Sequence, residues 1–326
     1  MLSLTKSASD FDQEREGRMK ASDGASEAAL ERSLSEWIPI DVAAATVVLR
    51  EAKQVLANLG VVFFLRQGTC LGAIRDHGFI PWDDDLDLGS VIGLHGFSDK
   101  SVDRVVAAFK KNGFFTRVEH QDQSIYVSMI KSAVRTDWMC YRIIDDSIFQ
   151  YPGTRIPVRL LTNLKEIEFL GEKFYVPNPP DEYLYLNYGE NWMIPKKIGY
   201  EKDVLDLIPE APLPGRAGRL KQLFIKHVMP WRISRLRVLN HRGEPVYGAE
   251  VVVVGLGRSR TNRQGYARIY LPYEDFYALV IRFGEHEEVL YEEKMTTAKT
   301  YVYRPDPQVT SGRYFVLSLE RDLREL

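Results

Sequence analysis

The stretch Pro81-Trp82-Asp83-Asp84-Asp85-Leu86-Asp87-Leu88-Gly89 constrains this chain more than any other. Four aspartates fall in five positions, directly behind the apolar run Gly78-Phe79-Ile80-Pro81-Trp82. Two carboxylates ~4 Å apart repel by roughly 4 kcal/mol at an effective dielectric of ~20. A fold keeps such a cluster only if the acids face water or something positive lies between them. On a strand, residues i and i+2 share a side. Asp85 and Asp87 then point one way, and Leu86 and Leu88 enter the core on the other. Asp83 joins the acids if the strand extends back that far. Asp84 has the opposite parity and is expected to be a bystander. Carboxylates backed by buried leucines suit a hard cation such as Mg²⁺. A solvated acidic strand end is the competing reading. An EF-hand fails, because Gly89 falls one position late and position 12 would be Leu94.

The chain has 326 residues, 45% of them apolar and 27% charged, with a net charge of -2. That is enough chain for two domains, and the balance gives no hint of nucleic acid binding. Cys70 and Cys140 are the only cysteines, so at most one disulfide forms and a cysteine zinc site is not expected. No run of 18 apolar residues is present. Residues 1–33 are polar, lack the apolar core of a signal peptide and read as a disordered or fraying arm. The expected compartment is the cytoplasm, with peripheral contact at the inner membrane face as an option.

Val48, Ala52, Val55, Leu56 and Leu59 recur at helical spacing, with Gly60 placed to end the helix. A short buried strand over 61–65 follows, then a turn and short helix over 68–78, then the acidic strand. A helix over 98–113 is expected, capped by Ser98 or Ser101, and then two strands, 124–131 and 134–144, joined by a tight turn. The order implies a mixed α/β core. Residues 151–200 show little period. From Ala211 to Gly243 there are eight Lys and Arg and no acid. This segment reads as a basic linker helix over 211–234, or as a helix lying on a membrane surface. Beyond it, about seven short alternating strands suggest a β-sandwich over 235–326.

Gly68-Thr69 at a helix start, about 15 residues before the acidic strand, offers N–H groups and a hydroxyl to a phosphate. With these residues placed, Gly68-Thr69-Cys70-Leu71-Gly72, Arg75 and Gly78 through Asp87 closely resemble the hallmark of the LicD/fukutin family. Tyr188-Gly189-Glu190-Asn191-Trp192-Met193-Ile194-Pro195 is similar to a second family segment. The resemblance covers roughly residues 45–200. It implies an α+β fold: a nucleotidyltransferase core, similar to DNA polymerase β, over 34–210, followed by the all-β domain. It also implies metal-dependent transfer of a phospho-alcohol (phosphocholine, ribitol phosphate, glycerol phosphate or similar) from a CDP-activated donor to a glycan hydroxyl, with release of CMP.

On that resemblance Asp83, Asp85 and Asp87 hold Mg²⁺ or Mn²⁺. Asp137, from a neighbouring strand, is the third acid and binds a second metal or accepts the acceptor proton. Gly68 and Thr69 position phosphates, and Arg75, Arg66 or Lys131 stabilise the leaving CMP. Trp82 and Trp138 are expected in the core. The implied partners are the CDP donor and a glycan acceptor, lipid-linked in one version, and no nucleic acid. Two alternatives stay open: an enzyme that attaches a nucleotide and releases pyrophosphate, and an inactive glycan-binding module. Residues 240–265 resemble a carboxypeptidase regulatory-like, transthyretin-type domain. Its Arg258, Arg260, Arg263 and Arg268 beside Tyr266 and Tyr270 suit an anionic glycan.

Overall fold

The computed structural model describes residues 24–121, 123–150, 152–197, 200–208, 230–271, 274–306, 313–314 and 316–320. These fall into two compact units that divide after Met193, with the hairpin tip Gln150–Thr154 grouped with the second.

The first unit opens with α1 (Glu27–Ser35), which corrects the reading of 1–33 as an arm for the part of it described. Ser26 caps α1 by accepting the Ala29 N–H, Leu30 is fully buried, and Glu31 pairs with Arg117. One buried leucine and an ion pair leave almost no periodic apolar signal. Helix α2 (Val42–Asn58) is capped by the Asp41 carboxylate, which accepts the Ala44 N–H at 2.8 Å, and Gly60 ends it at φ +68°.

Next come β1 (Phe64–Leu65), the short α3 (Gln67–Leu71), which widens into a π-turn over Gly72–Asp76, and β2 (Asp85–Val91). Helix α4 (Asp99–Lys111) leads to β3 (Phe115–His120), β4 (Ser124–Lys131) and β5 (Val134–Tyr141). Ser98 is the α4 cap residue, although its hydroxyl meets Ser101 and no backbone N–H. The turn between β4 and β5 uses Ser132 and Ala133, both at positive φ.

These strands form one mixed sheet in the order β1-β2-β5-β4-β3, in which only β2 and β5 run parallel. Alternation gives the sheet two chemically distinct faces. Leu86, Leu88, Val127, Met129 and Trp138 point to the side covered by α2 and α4, and all are fully buried. Trp138 packs on Phe109 of α4 and on Phe97, which places it in the core as expected. The opposite face carries the acids. Residues 147–188, where period alone gave little, hold the hairpin β6 (Ser147–Gln150) and β7 (Thr154–Pro157), α5 (Arg159–Thr162), the hairpin β8 (Lys165–Phe169) and β9 (Glu172–Val176), and α6 (Pro180–Tyr188).

The second unit starts with α7 (Tyr200–Leu207). Most of the proposed linker helix, up to residue 229, lies outside the described residues. Its last residues turn as a short 3₁₀ segment and enter a strand at Ile233. Then follow β10 (Ile233–Val238), β11 (Glu250–Val253), β12 (Gly257–Arg260), β13 (Tyr266–Tyr270), β14 (Asp275–Phe283), β15 (His286–Met295), β16 (Thr300–Tyr303), β17 (Arg313–Tyr314) and β18 (Ser318–Leu319). They form a four-stranded sheet, β13-β10-β16-β18, and a five-stranded sheet, β12-β11-β14-β15-β17. Leu236, Val238, Val251, Ile269, Leu279, Ile281 and Leu290 share one buried core. Among its described residues the unit is all-β apart from α7 and that 3₁₀ segment, consistent with the expected all-β part. No described helix is long and apolar enough to cross a membrane.

Candidate functional site

The acids gather on the face of the first sheet opposite α2 and α4. β2 and β5 pair in parallel with Asp85 opposite Arg135 and Asp87 opposite Asp137, so the strand parity expected for Asp85 and Asp87 holds. Asp83 and Asp84 precede the strand. Their loop is pinned from outside, where the Ile40 N–H donates to the Asp83 carbonyl at 2.9 Å and Trp37 Nε1 donates to the Trp82 carbonyl at 2.7 Å. Asp83 still reaches the site, because its carboxylate packs against the Cα of Gly68. A Cβ there would lie 2.5 Å from Asp83 Oδ2. This close approach is why residue 68 must be glycine.

Asp84 is not a bystander. Strand parity does not reach a residue outside the strand, and Asp84 Oδ2 accepts from Arg135 Nη2 at 2.8 Å. The same Nη2 lies 2.8 Å from Asp85 Oδ2, and Arg135 Nη1 donates to Asp137 Oδ2 at 3.0 Å. One buried guanidinium thus answers the opening electrostatic problem for three of the acids.

Asp87 lies deeper and is held by other groups. Arg66 Nη2 pairs with its Oδ1 at 2.7 Å, and the Gly68 N–H donates to its Oδ2 at 3.1 Å. The Thr69 hydroxyl accepts the Asp87 backbone N–H at 2.8 Å. Four expectations are corrected here. Gly68 and Thr69 direct their polar groups at Asp87 instead of at an open phosphate site. Arg66 also donates from Nε to the Leu88 carbonyl at 3.2 Å, so it is an internal counter-ion with no reach to a leaving group. Arg75 chelates Asp76 at 2.8 and 2.7 Å and donates to the Trp192 carbonyl at 3.4 Å. It ties the second sequence motif to the first. Lys131 points to the other face of the sheet, where Glu51 of α2 and the Asn112 carbonyl hold it.

Charge crowding leaves its mark on the protonation of the cluster. Burial pushes the Asp87 carboxyl up to about 8, with Arg66 opposing and Asp85 and Asp137 adding to the rise. Burial likewise raises Asp137 to about 7 against the pull of Arg135. It raises Asp84 to about 6, with Asp85 adding to it. Asp83 is held well above the carboxylate range by burial and by the charges of Asp85, Asp87 and Asp84. Burial works against the charge of Arg135, but Asp85, Asp137, Tyr126 and Asp84 outweigh it and keep the guanidinium protonated.

The donor set fits a hard divalent cation. Asp83, Asp84 and Asp85 each offer a carboxylate oxygen, and the three oxygens lie within 4.8 Å of one another. Asp137 is buried nearby, held by Arg135 and hydrogen-bonded to Tyr126. An all-oxygen, partly exposed donor set is the chemistry that suits Mg²⁺ or Mn²⁺ better than a softer metal. The expected trio Asp83, Asp85 and Asp87 is therefore revised. Asp84 joins Asp83 and Asp85, while both oxygens of Asp87 already accept an N–H. The sequence reading missed Arg135, although its parity with Asp137 on one strand places both on the acidic face. It also missed Tyr183, which is buried on α6 and whose hydroxyl accepts the Gln67 N–H at 3.1 Å.

Comparison with known proteins converges on the same region. Residues 60–179 match the LicD/FKTN/FKRP nucleotidyltransferase domain. The ribitol-5-phosphate transferase FKTN of Mus musculus is 31% identical over 164 residues, which is 46% of this chain and 33% of that protein. Its Homo sapiens counterpart is 31% identical over 162 residues, with the same coverage. An uncharacterised protein of Rickettsia typhi is 27% identical over 150 residues, 44% of this chain and 45% of its own length. The chain thus spans about a third of the length of the FKTN proteins it matches. Among solved structures, the antibiotic-resistance factor ANT(2'')-Ia aligns with a TM-score of 0.35 and 12% identity, over 58% of this chain and 98% of that one. That alignment is too loose to bear on the fold.

Proposed function

Because residues 60–179 match the LicD/FKTN/FKRP nucleotidyltransferase domain, we propose that this chain acts as a LicD/fukutin-type enzyme and transfers a phospho-alcohol from a CDP-activated donor to a glycan hydroxyl. The observation that carries this reading is the Asp83–Asp84–Asp85 cluster, at the start of β2 inside the matched segment. A bound Mg²⁺ or Mn²⁺ would neutralise charge on the donor pyrophosphate and on the phosphoryl group in transfer.

The chain's own residues prepare that site. Gly68 leaves room for the Asp83 carboxylate, and Arg135 fixes Asp84 and Asp85. Arg66 and the Gly68 N–H hold Asp87 as a buried negative floor. Asp137 lies behind Arg135 and is itself buried, so it anchors the guanidinium and is poorly placed to take the acceptor proton directly. In the second unit we assign the outward face of the four-stranded sheet to the acceptor glycan. Arg235 and Arg268 are exposed and lie directly opposite on β10 and β13. Like charges so placed destabilise a sheet, and an anionic glycan would relieve them. Arg258 fits that role less well than expected, lying 3.7 Å from Glu250.

The test is incubation of the purified chain with CDP-ribitol, CDP-glycerol or CDP-choline and Mg²⁺ or Mn²⁺, following CMP. Metal-dependent CMP release from one donor, lost in Asp83→Asn and Asp85→Asn, is the expected result. Release of pyrophosphate from a nucleoside triphosphate, with no CMP from any donor, would favour nucleotide attachment and overturn the proposal.

A further inference from the structure

We infer that Arg135 takes the place of a second cation, so that this site holds a single divalent ion. The inference rests on the proposed metal-binding role of the acids. It concerns how many ions they take and which residue sets that number.

The acids form two tiers. The outer tier is Asp83, Asp84 and Asp85, partly exposed and with oxygens within 4.8 Å of one another. The inner tier is Asp87 and Asp137, both buried. Each inner acid has its own guanidinium: Arg66 lies 2.7 Å from Asp87 and Arg135 lies 3.0 Å from Asp137. Arg135 also spans the tiers, contacting Asp84 and Asp85 at 2.8 Å each. An ion shared between Asp85 and Asp137 would need the space that this guanidinium fills.

Arg135 also brings to Asp137 the positive charge that an ion beside it would otherwise supply. The guanidinium does not easily leave, because strand pairing places the Arg135 backbone directly opposite Asp85. With Arg135 removed, Asp137 would keep only its hydrogen bond to Tyr126, and its freed Oδ2 is the oxygen a second ion would take.

Arg135→Met keeps an unbranched apolar stem and removes the guanidinium and its charge. The full chain and this variant are titrated with Mn²⁺ alone, with stoichiometry read by calorimetry and spin–spin coupling between neighbouring ions read by electron paramagnetic resonance. One Mn²⁺ per wild-type chain is expected, and a second, spin-coupled Mn²⁺ in Arg135→Met. Arg135→Lys, which keeps a cation, should stay at one. Two ions in the wild-type chain would overturn the inference and leave the metal reading intact. A variant that stays at one ion with unchanged affinity would also overturn it. No binding by the wild-type chain would remove the metal reading and the inference together. Thermal melts of both variants establish that they are folded, and the wild-type count decides even if Arg135→Met does not fold.

Discussion

Gly68→Ala separates the site from the fold. A methyl group there would lie 2.5 Å from Asp83 Oδ2 and 3.1 Å from its Cγ, and ordinary contact begins near 3.4 Å. The Asp83 carboxylate is the softer partner, since Gly68 belongs to α3 and its N–H is fixed on Asp87. The carboxylate must retreat by about 1 Å, a displacement that costs about 10²-fold in rate at a reacting centre. The backbone change itself is mild, because alanine is favoured over glycine in a helix by about 0.8–1 kcal/mol. The variant should therefore melt at or slightly above the wild-type temperature, bind Mn²⁺ about ten-fold more weakly, and release CMP about 10²-fold more slowly. Thermal melts, Mn²⁺ titration and a CMP assay on the same preparation read all three. CMP release within about three-fold of wild type would show that Asp83 is not held against the reacting centre. A large drop in melting temperature would show that the strain falls on the backbone instead.

Three further outcomes are expected. Gly89→Ala places a methyl 2.6 Å from the buried Phe64 ring, and overpacking of this kind costs about 1–3 kcal/mol; the urea midpoint should fall, and a second change, Phe64→Leu, should restore it. Asp84, Asp137 and Asp87 are raised to about 6, 7 and 8 from the ordinary aspartate value of 3.8, so their contribution to stability is complete below about pH 4 and is lost as pH rises through those values. The metal-free protein should therefore lose stability between pH 5 and pH 8, while Mn²⁺, which favours the ionised cluster, should raise the melting temperature more at pH 8 than at pH 5.5; an equal or larger rise at pH 5.5 would count against Asp84 as a ligand. Arg235→Glu combined with Arg268→Glu should leave donor hydrolysis intact and weaken transfer to an anionic acceptor, and equal loss of both activities would dismiss the sheet face as an acceptor platform.

Much of the first sheet was legible because its signals are local. Asp85 through Leu88 alternate acid and leucine, and the observed strand buries both leucines while the acids share the other face. The same rule failed one residue upstream. Asp84 lies outside the strand, where the loop geometry set by Trp37 and Ile40, more than forty positions away in the chain, decides its direction. Helix α1 escaped notice because a single buried leucine carries no period, and its docking depends on Arg117 of a distant strand.

The basic residues show the limit most clearly. Arg66, Arg75 and Lys131 lie near the motif in sequence or by strand order, and each is engaged by a distant partner, Asp87, the Trp192 carbonyl and Glu51, that sequence spacing does not reveal. Arg135, passed over, is the one that touches three acids. The difference is register: β5 runs parallel to β2 with Arg135 opposite Asp85, a pairing between residues fifty positions apart. A chain that gathers five carboxylates must bring positive charge to them through tertiary structure, because no cation within the acidic stretch itself can reach both strands. The question raised by Pro81–Gly89 is therefore answered in two parts. Arg66 and Arg135 make the acids tolerable to the folded chain, and the uncompensated charge that remains on Asp83, Asp84 and Asp85 is what a divalent ion would come to neutralise.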